Sequence, residues 1–299
     1  LVTGVQTCAL PICRPEPVAP LRGLRILSVG LNLPAPLAAQ RARQLGARVR
    51  KIEPPGGDPV ALMAASLYSE LHAGVTVQRL DLGSEAGQRQ LQRELARTDV
   101  LLSSFRPKAM ARLGLGWRTL HRRYPRLWQV AVFGSLAAPD AAGHDLTYQA
   151  ELGLVQQTLP PTLWADLCGA QAALTALHQV QIGHLSGEPG RLLKIGLQEA
   201  LAEAAAPRRW GLTRPGDLLG GRHAGYQVFA CRDGRVAVAA LESKFAHALA
   251  DCAGLSEPVN WLGRTTQQAL AAWFAQRGSA ELRDLALQRD LPLVVCPEE

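Results

Sequence analysis

The chain has 299 residues, enough for one large domain or two modest ones. Hydrophobic residues make up 47% and charged residues 19%, which excludes a largely disordered chain, and no run of eighteen apolar residues predicts a membrane span. The net charge of +7 suits an anionic partner, but the densest arginine group, at 118–126, lacks interleaved aromatics, so we expect no nucleic-acid binding.

Residues 1–20 precede the first orderly pattern and are interpreted as an N-terminal extension and linker. Leu1–Cys13 has no charged n-region, so it is not expected to be a secretory signal. It resembles translated sequencing-adapter sequence, and we leave it out of the fold. The proline-rich residues 14–20 are typical of a linker.

Strands and helices alternate between residues 24 and 133. The predicted strands are short apolar runs at 24–29, 48–53, 77–82, 99–103 and 127–133. The predicted helices between them are 34–45, 84–96, 107–113 and 119–124. Such alternation indicates βαβ units and a parallel sheet. No GxGxxG follows the first strand, so we expect no dinucleotide site of the usual kind.

The second half of the chain changes character. A long helix is predicted at 167–182, a strand at 192–197 and a helix at 198–205. Two apolar runs flank Arg232-Asp233-Gly234, a strong hairpin signal, and two helices follow, at 243–252 and 266–277. We therefore predict a Rossmann-like large α/β domain at 21–215 and a smaller α+β domain at 216–299.

The six cysteines form no CxxC pair and have no histidine at metal-ligand spacing. We therefore expect free thiols, a cytoplasmic protein and no metal site.

Five segments, in order, resemble the family III CoA-transferases, a family that includes the α-methylacyl-CoA racemases. They are LRGLRILSVG…GARVRKIEPPGG (21–57), DVLLSSFRPKAMARLGLG (99–116), GHDLTYQAELGL (143–154), PTLWADLCG (161–169) and GGRHAGYQVFACRDGRVAVAALESKF (220–245). One such segment alone would be weak evidence, whereas five in the family's order are specific.

The resemblance implies the family III CoA-transferase fold, with a Rossmann-like large domain, a parallel sheet and a smaller α+β domain. It also implies a homodimer of two interlocked chains with active sites between them. The implied substrates are acyl-CoA thioesters and carboxylates, with coenzyme A as part of the substrate and no covalently bound cofactor. The family's return segment to the large domain is missing after the run at 291–295, so we expect a chain truncated at its C-terminus.

Asp166 is the first candidate catalytic residue. Its place before the helix predicted from Leu167 is typical of an N-cap aspartate, and a helix N-terminus favours an ionised carboxylate. By the resemblance, the matching aspartate either attacks the thioester carbonyl in CoA transfer or moves the α-proton in racemisation.

His144 and Asp145 form the second candidate group. Their position alone indicates a loop histidine and an N-cap aspartate for a helix beginning at Leu146. By the resemblance, His144 is the second base of a racemase, facing Asp166, and Asp145 orients its surroundings. Glu242 would hydrogen-bond the histidine from across a domain or dimer interface.

Lys51 and Arg106 follow predicted strands, at the strand ends where open α/β sheets place ligands. By the resemblance they bind CoA phosphates, with Gly143 completing the CoA-binding set; otherwise they are solvated surface charges. His72-Ala73-Gly74-Val75 stands where the family has an Asn-Arg-Gly-Lys-like stretch, so one basic group is missing.

Three functions therefore stay open. The first is CoA transfer between carboxylic acids through an acyl intermediate on Asp166. The second is 2-methylacyl-CoA racemisation with His144 and Asp166 as paired acid and base. The third is a truncated homologue that binds CoA, or only a partner chain, without catalysis.

Overall fold

The computed structural model describes residues 19–297, which form two compact units divided after Ala204. The first unit contains a sheet of six parallel strands in the order β3-β2-β1-β4-β5-β6. The strands are β1 (Arg25–Ser28), β2 (Arg48–Glu53), β3 (Thr76–Arg79), β4 (Val100–Ser103), β5 (Trp128–Phe133) and β6 (Leu192–Gly196). The predicted parallel sheet and α/β class are confirmed. The predicted extension lies, up to residue 18, outside the described residues.

The helices of the first unit cover both faces of this sheet. They are α1 (Pro34–Gln44), α2 (Val60–Met63), α3 (Ala65–Leu71), α4 (Glu85–Leu95), α5 (Pro107–Arg112), α6 (Trp117–Arg123), α7 (Asp145–Glu151), α8 (Trp164–Leu185) and α9 (Leu197–Ala204). The predicted cap of α4 is confirmed, because Ser84 Oγ accepts a hydrogen bond from the Gly87 amide at 3.0 Å. The short helices α2 and α3 were not predicted.

Apolar side chains from the central strands build a core on each face of the sheet. Ile26, Val100 and Val130 face α1 and α8 in one cluster, whereas Leu27 and Leu101 belong to the other. This alternation follows from the two-residue period of a strand, and it explains why β4 and β5 are apolar throughout. Both faces of the sheet are therefore covered by a hydrophobic core.

Strands β1 and β4 are neighbours at the centre of the sheet. From β1 the chain adds β2 and β3 on one side, and from β4 it adds β5 and β6 on the other. In an open α/β sheet, the loops that leave the two strands at such a point diverge, and a crevice forms beyond their carboxyl ends. The loops after β1 and β4 are thus the places where a ligand site is expected on topological grounds.

The second unit contains a three-stranded antiparallel sheet in the order β7-β8-β9. Its elements are α10 (Ala206–Arg209), a π-helical turn (Leu218–Arg222), β7 (Tyr226–Cys231), β8 (Gly234–Ala239), α11 (Ser243–Ala253), α12 (Arg264–Ala275), α13 (Ser279–Arg289) and β9 (Leu293–Val295). The predicted hairpin is confirmed, although Gly234 pairs with Cys231, so Arg232 and Asp233 form the turn. Helix α13 was not predicted.

Within residues 19–297, no helix combines the length and the apolar character that crossing a membrane requires.

We predict that Leu177→Ala lowers the free energy of unfolding by about 3 kcal/mol, because the Leu177 side chain on α8 is fully buried in the core. Urea denaturation measures this change. Leu185→Ala is the matched control on the same helix. Leu185 is 75% exposed, so its replacement should cost less than about 0.5 kcal/mol. Equal losses for both variants would contradict the assigned packing of α8.

Candidate active site

A cavity of about 210 Å³ lies at the carboxyl ends of β1, β4 and β5. The turn after β1 forms one wall, and its Leu31 amide donates a hydrogen bond to Ser104 Oγ, after β4, at 3.0 Å. Asn32, in the same turn, has a left-handed backbone with φ of 64°. The cavity therefore occupies the crevice that the strand order predicts.

Four of the predicted site residues border this one cavity. They are Asp166, His144, Arg106 and Gly143.

Asp166 does not cap its helix, which corrects the sequence-based expectation. Helix α8 begins at Trp164 rather than near Leu167, so Asp166 is its third residue, and Leu163 occupies the N-cap position. The sequence before Asp166 contains no polar cap residue, because Leu163 and Trp164 are both apolar. The first-turn amides of α8 therefore need a hydrogen-bond acceptor from elsewhere in the chain.

Asp145 supplies that acceptor. Its Oδ1 accepts hydrogen bonds from the Ala165 amide at 2.7 Å and from the Asp166 amide at 3.1 Å, while Gln149 Nε2 donates to its Oδ2. Asp145 is only 6% exposed. It was expected to cap a helix beginning at Leu146, but it is the first residue of α7 and caps α8 instead.

Burial, together with the smaller effect of the negative charge of Asp145, raises the pKa of Asp166 to about 7. This raised pKa corrects the expectation that the helix N-terminus keeps the Asp166 carboxylate ionised. Removal from water and a neighbouring like charge outweigh the favourable helix dipole. At neutral pH the Asp166 carboxyl can both hold and release a proton.

His144 lies at the N-cap position of α7, immediately before the buried Asp145. It is exposed, and its backbone amide donates to Thr147 Oγ1 at 3.1 Å. Its carbonyl oxygen accepts a hydrogen bond from the Thr147 hydroxyl at 2.8 Å, so the first turn of α7 fixes the backbone of His144. His144 and Asp166 border the same cavity from two different helices.

Tyr148 is a cavity residue that the sequence reasoning missed. It lies one helical turn after His144 on α7, so the four-residue spacing could have indicated that both face the same side. Its buried ring packs where a Cβ atom on Gly134 or Gly143 would collide with its hydroxyl. Burial and the charge of Asp166 raise the pKa of Tyr148. Gly143 therefore makes room for Tyr148.

Arg106 precedes α5 and is exposed to solvent. It borders the cavity of Asp166 and a neighbouring one that Lys108 and Arg112 also line. Three cationic side chains at one helix were not recognised as a group from the sequence. Their spacing in the sequence could have indicated the group, because residues four apart, such as Lys108 and Arg112, lie on the same face of a helix.

Lys51 is placed differently from the expectation that it meets CoA phosphates. Its side chain is 2% exposed and is ion-paired with Asp58 at 2.6 Å and with Glu53 at 3.0 Å. Its ammonium group is therefore not presented to a ligand in this arrangement. Glu242 lies in the second unit, where it is exposed and precedes α11, and its expected contact with His144 stays a prediction.

An open α/β sheet with a half-buried carboxyl group of raised pKa at its switch point defines an enzyme-like ligand site of the doubly wound class. Residues 21–297 match the family model described as CoA-transferase family III, and the chain belongs to this family.

Individual relatives agree with this assignment. The succinyl-CoA–D-citramalate CoA-transferase of Chloroflexus aurantiacus is 33% identical over 218 residues, 64% of this chain and 53% of that protein. The human α-methylacyl-CoA racemase is 28% identical over 258 residues, 79% of this chain and 65% of that protein. The chain spans about half the length of the first of these and of other similar transferases.

A crystal structure of the Mycobacterium tuberculosis protein Rv3272 has the same fold. It superposes with a TM-score of 0.81 at 21% identity, over 93% of this chain and 84% of that chain.

We predict that Gly134→Ala lowers the free energy of unfolding by about 1–3 kcal/mol, because the new methyl group would collide with the Tyr148 hydroxyl. Urea denaturation measures the loss, and adding Tyr148→Phe should recover part of it. Gly56→Ala is the control, since a Cβ atom there meets no atom within 4 Å. If Tyr148→Phe gives no recovery, the hydroxyl is not the obstacle.

We also predict a pH-dependent stability difference between the wild type and Asp166→Asn. Above the ordinary aspartate pKa of 3.8 the unfolded chain releases this proton, whereas the folded protein keeps it up to about pH 7. Because the folded state binds more protons in that window, Asp166 makes the free energy of unfolding fall as pH rises. In Asp166→Asn the free energy of unfolding, measured by urea denaturation, should fall less between about pH 4.5 and about pH 7.5 than it does in the wild type. Identical falls would contradict the raised pKa.

Proposed function

We propose that this protein processes acyl-CoA thioesters and transfers CoA between carboxylic acids, with Asp166 as the residue that becomes acylated. The observation that carries the proposal is the position of Asp166. Its carboxyl group borders a cavity at the switch point of the sheet, and a cluster of basic side chains lines the adjacent surface. A carboxylate nucleophile beside a cationic surface suits a thioester attached to an anionic carrier.

The basic cluster supports a place for the phosphates of CoA. Arg106 borders both cavities, so a ligand that reaches from one to the other passes its guanidinium group. Lys108 and Arg112 extend the positive surface away from Asp166. We propose that the three cations bind the phosphate groups while the thioester lies beside Asp166.

The transfer proceeds through covalent steps on Asp166. Its ionised oxygen attacks the thioester carbonyl carbon, the carbon–sulfur bond breaks, and CoA leaves as a thiolate from a mixed anhydride. The thiolate attacks the Asp166 carbonyl carbon, which releases the first carboxylate and leaves CoA on Asp166 as a thioester. An acceptor carboxylate then attacks this thioester, and the same steps in reverse give the new acyl-CoA and free Asp166.

Racemisation of a 2-methylacyl-CoA is the second candidate, and one observation favours it. His144 and Asp166 border the same cavity from separate helices, so one can remove an α-proton while the other returns one. A carboxyl pKa of about 7 matches proton exchange near neutral pH. The homodimer implied by the sequence resemblance, with Glu242 reaching His144, stays part of this proposal.

One comparison of variants separates the two candidates. The full-length protein is incubated with a 2-methylacyl-CoA in deuterated water, with and without an acceptor carboxylate, and with hydroxylamine. We predict that acyl-CoA produces a hydroxylamine-trapped adduct on Asp166 and that transfer needs the acceptor. Asp166→Asn should lower the rate of transfer about 1,000-fold or more, because it removes the nucleophile.

His144→Ala is the discriminating variant. If the protein is a transferase, this variant keeps the trapped adduct on Asp166; if it is a racemase, α-deuterium exchange occurs without an acceptor and is lost in this variant. Asp251→Asn, a substitution of an exposed aspartate in the second unit, is the control and should leave both rates unchanged. CoA binding with neither reaction would reject both candidates and leave a binding protein.

A further inference from the structure

The Lys51 ammonium group lies at the centre of three acceptors. Its Nζ is 2.6 Å from Asp58 Oδ2, 3.0 Å from Glu53 Oε1 and 2.8 Å from His72 Nε2. An ammonium group has three hydrogens to donate and no lone pair. Two hydrogen bonds and one ion pair thus hold the ammonium group inside the protein, and the side chain is only 2% exposed, so it is not available to a ligand.

The histidine in this cluster is in a defined state. His72 Nδ1 lies 2.7 Å from the Tyr68 carbonyl oxygen, which can only accept, so Nδ1 carries the hydrogen. Nε2 faces an ammonium group, which can only donate, so Nε2 is the acceptor. His72 is therefore a neutral ligand to the Lys51 cation.

The cluster has the composition of a cation site. One ligand atom from each of Glu53, Asp58 and His72 lies within 4.8 Å of the others, a spacing that is compatible with a metal ion. Here the Lys51 ammonium occupies the centre. Glu53 and Asp58 are each about 1% exposed, so without the lysine two carboxylates would share a buried space whose nearest remaining cation is the largely exposed Arg79, 4.0 Å from Glu53.

Asp58 connects this cation to the wall of the active-site cavity. Its Oδ1 accepts hydrogen bonds from the Asn32 amide and the Val60 amide, each at 3.1 Å, while its Oδ2 binds Lys51. Asn32 is the left-handed residue of the turn that lines the cavity. Asparagine adopts this conformation more readily than most residues with a side chain, and the Asp58 acceptor holds it in place here.

We propose that Lys51 is a positioning residue: its ammonium group is the cation of a site built by Glu53, Asp58 and His72, and through Asp58 it fixes the Asn32 turn against the cavity. Ser104 holds this turn from the β4 side, and the Lys51 site holds it from the β2 side. The positive charge thus acts from beneath the cavity, without touching substrate. The inference is independent of which acyl-CoA reaction the cavity performs.

Replacing the lysine and then restoring a cation tests the proposal. Lys51→Ala should lower Tm by roughly 10 °C, because it removes the ammonium group that is ion-paired with two buried carboxylates. Hydrogen exchange in a peptide spanning residues 30–36, measured by mass spectrometry, should quicken about tenfold or more, because the Asn32 amide loses its fixed acceptor. Adding Co²⁺ should give a visible absorption band absent from the wild type and restore the slow exchange.

The double variant Lys51→Ala/His72→Gln is the matched control, since it lacks the third ligand and should show neither the band nor the recovery. Unchanged exchange at residues 30–36 in Lys51→Ala would overturn the proposal. Failure of Co²⁺ to restore slow exchange would overturn the claim that a charge at this position holds the turn.

If Lys51→Ala does not fold, Lys51→Gln provides the same test. It keeps N–H donors for the buried carboxylates but removes the positive charge, so the turn should again exchange faster. An unaltered turn in this variant would equally overturn the proposal.

Discussion

One buried carboxylate, that of Asp145, organises the candidate active site. By accepting hydrogen bonds from the Ala165 and Asp166 amides it fixes where α8 begins, although it lies twenty residues before Ala165 in the chain. The same contact places a negative charge beside the Asp166 carboxyl group. Structure and reactivity are therefore coupled, because the group that caps the helix also helps to raise the pKa of Asp166.

The sheet gives this pair a place to act. Strands β1, β4 and β5 end at one edge, and their loops supply the Asn32 turn, the cation Arg106 and the glycine that accommodates Tyr148. The polar groups of the cavity lie beyond the strand ends, while apolar side chains fill most of both faces of the sheet. A carboxyl group whose pKa lies near 7 can attack a carbonyl carbon or move a proton in such a crevice.

Much of this organisation is predictable from local patterns. Short apolar runs located the strands, and the rule that ligands bind at strand carboxyl ends pointed to Arg106, whereas Asp166 and His144 were singled out by the family resemblance; all three border one cavity. The cap on α8 was not predictable, because no local spacing connects Asp145 to Ala165. The place of Lys51 follows from its register on β2 and not from its charge. It shares the buried face of β2 with Val49 and Glu53, and its compensating partner Asp58 comes from the following loop.

A ¹³C NMR titration of the Asp166 carboxyl carbon, in the wild type and in Asp145→Asn, tests the central claim most directly. The pairing of the two carboxylates predicts a wild-type midpoint at about pH 7 and a lower midpoint in the variant, because the neighbouring negative charge is gone. A wild-type midpoint near the ordinary value of 3.8, or a midpoint that Asp145→Asn leaves unchanged, would contradict it.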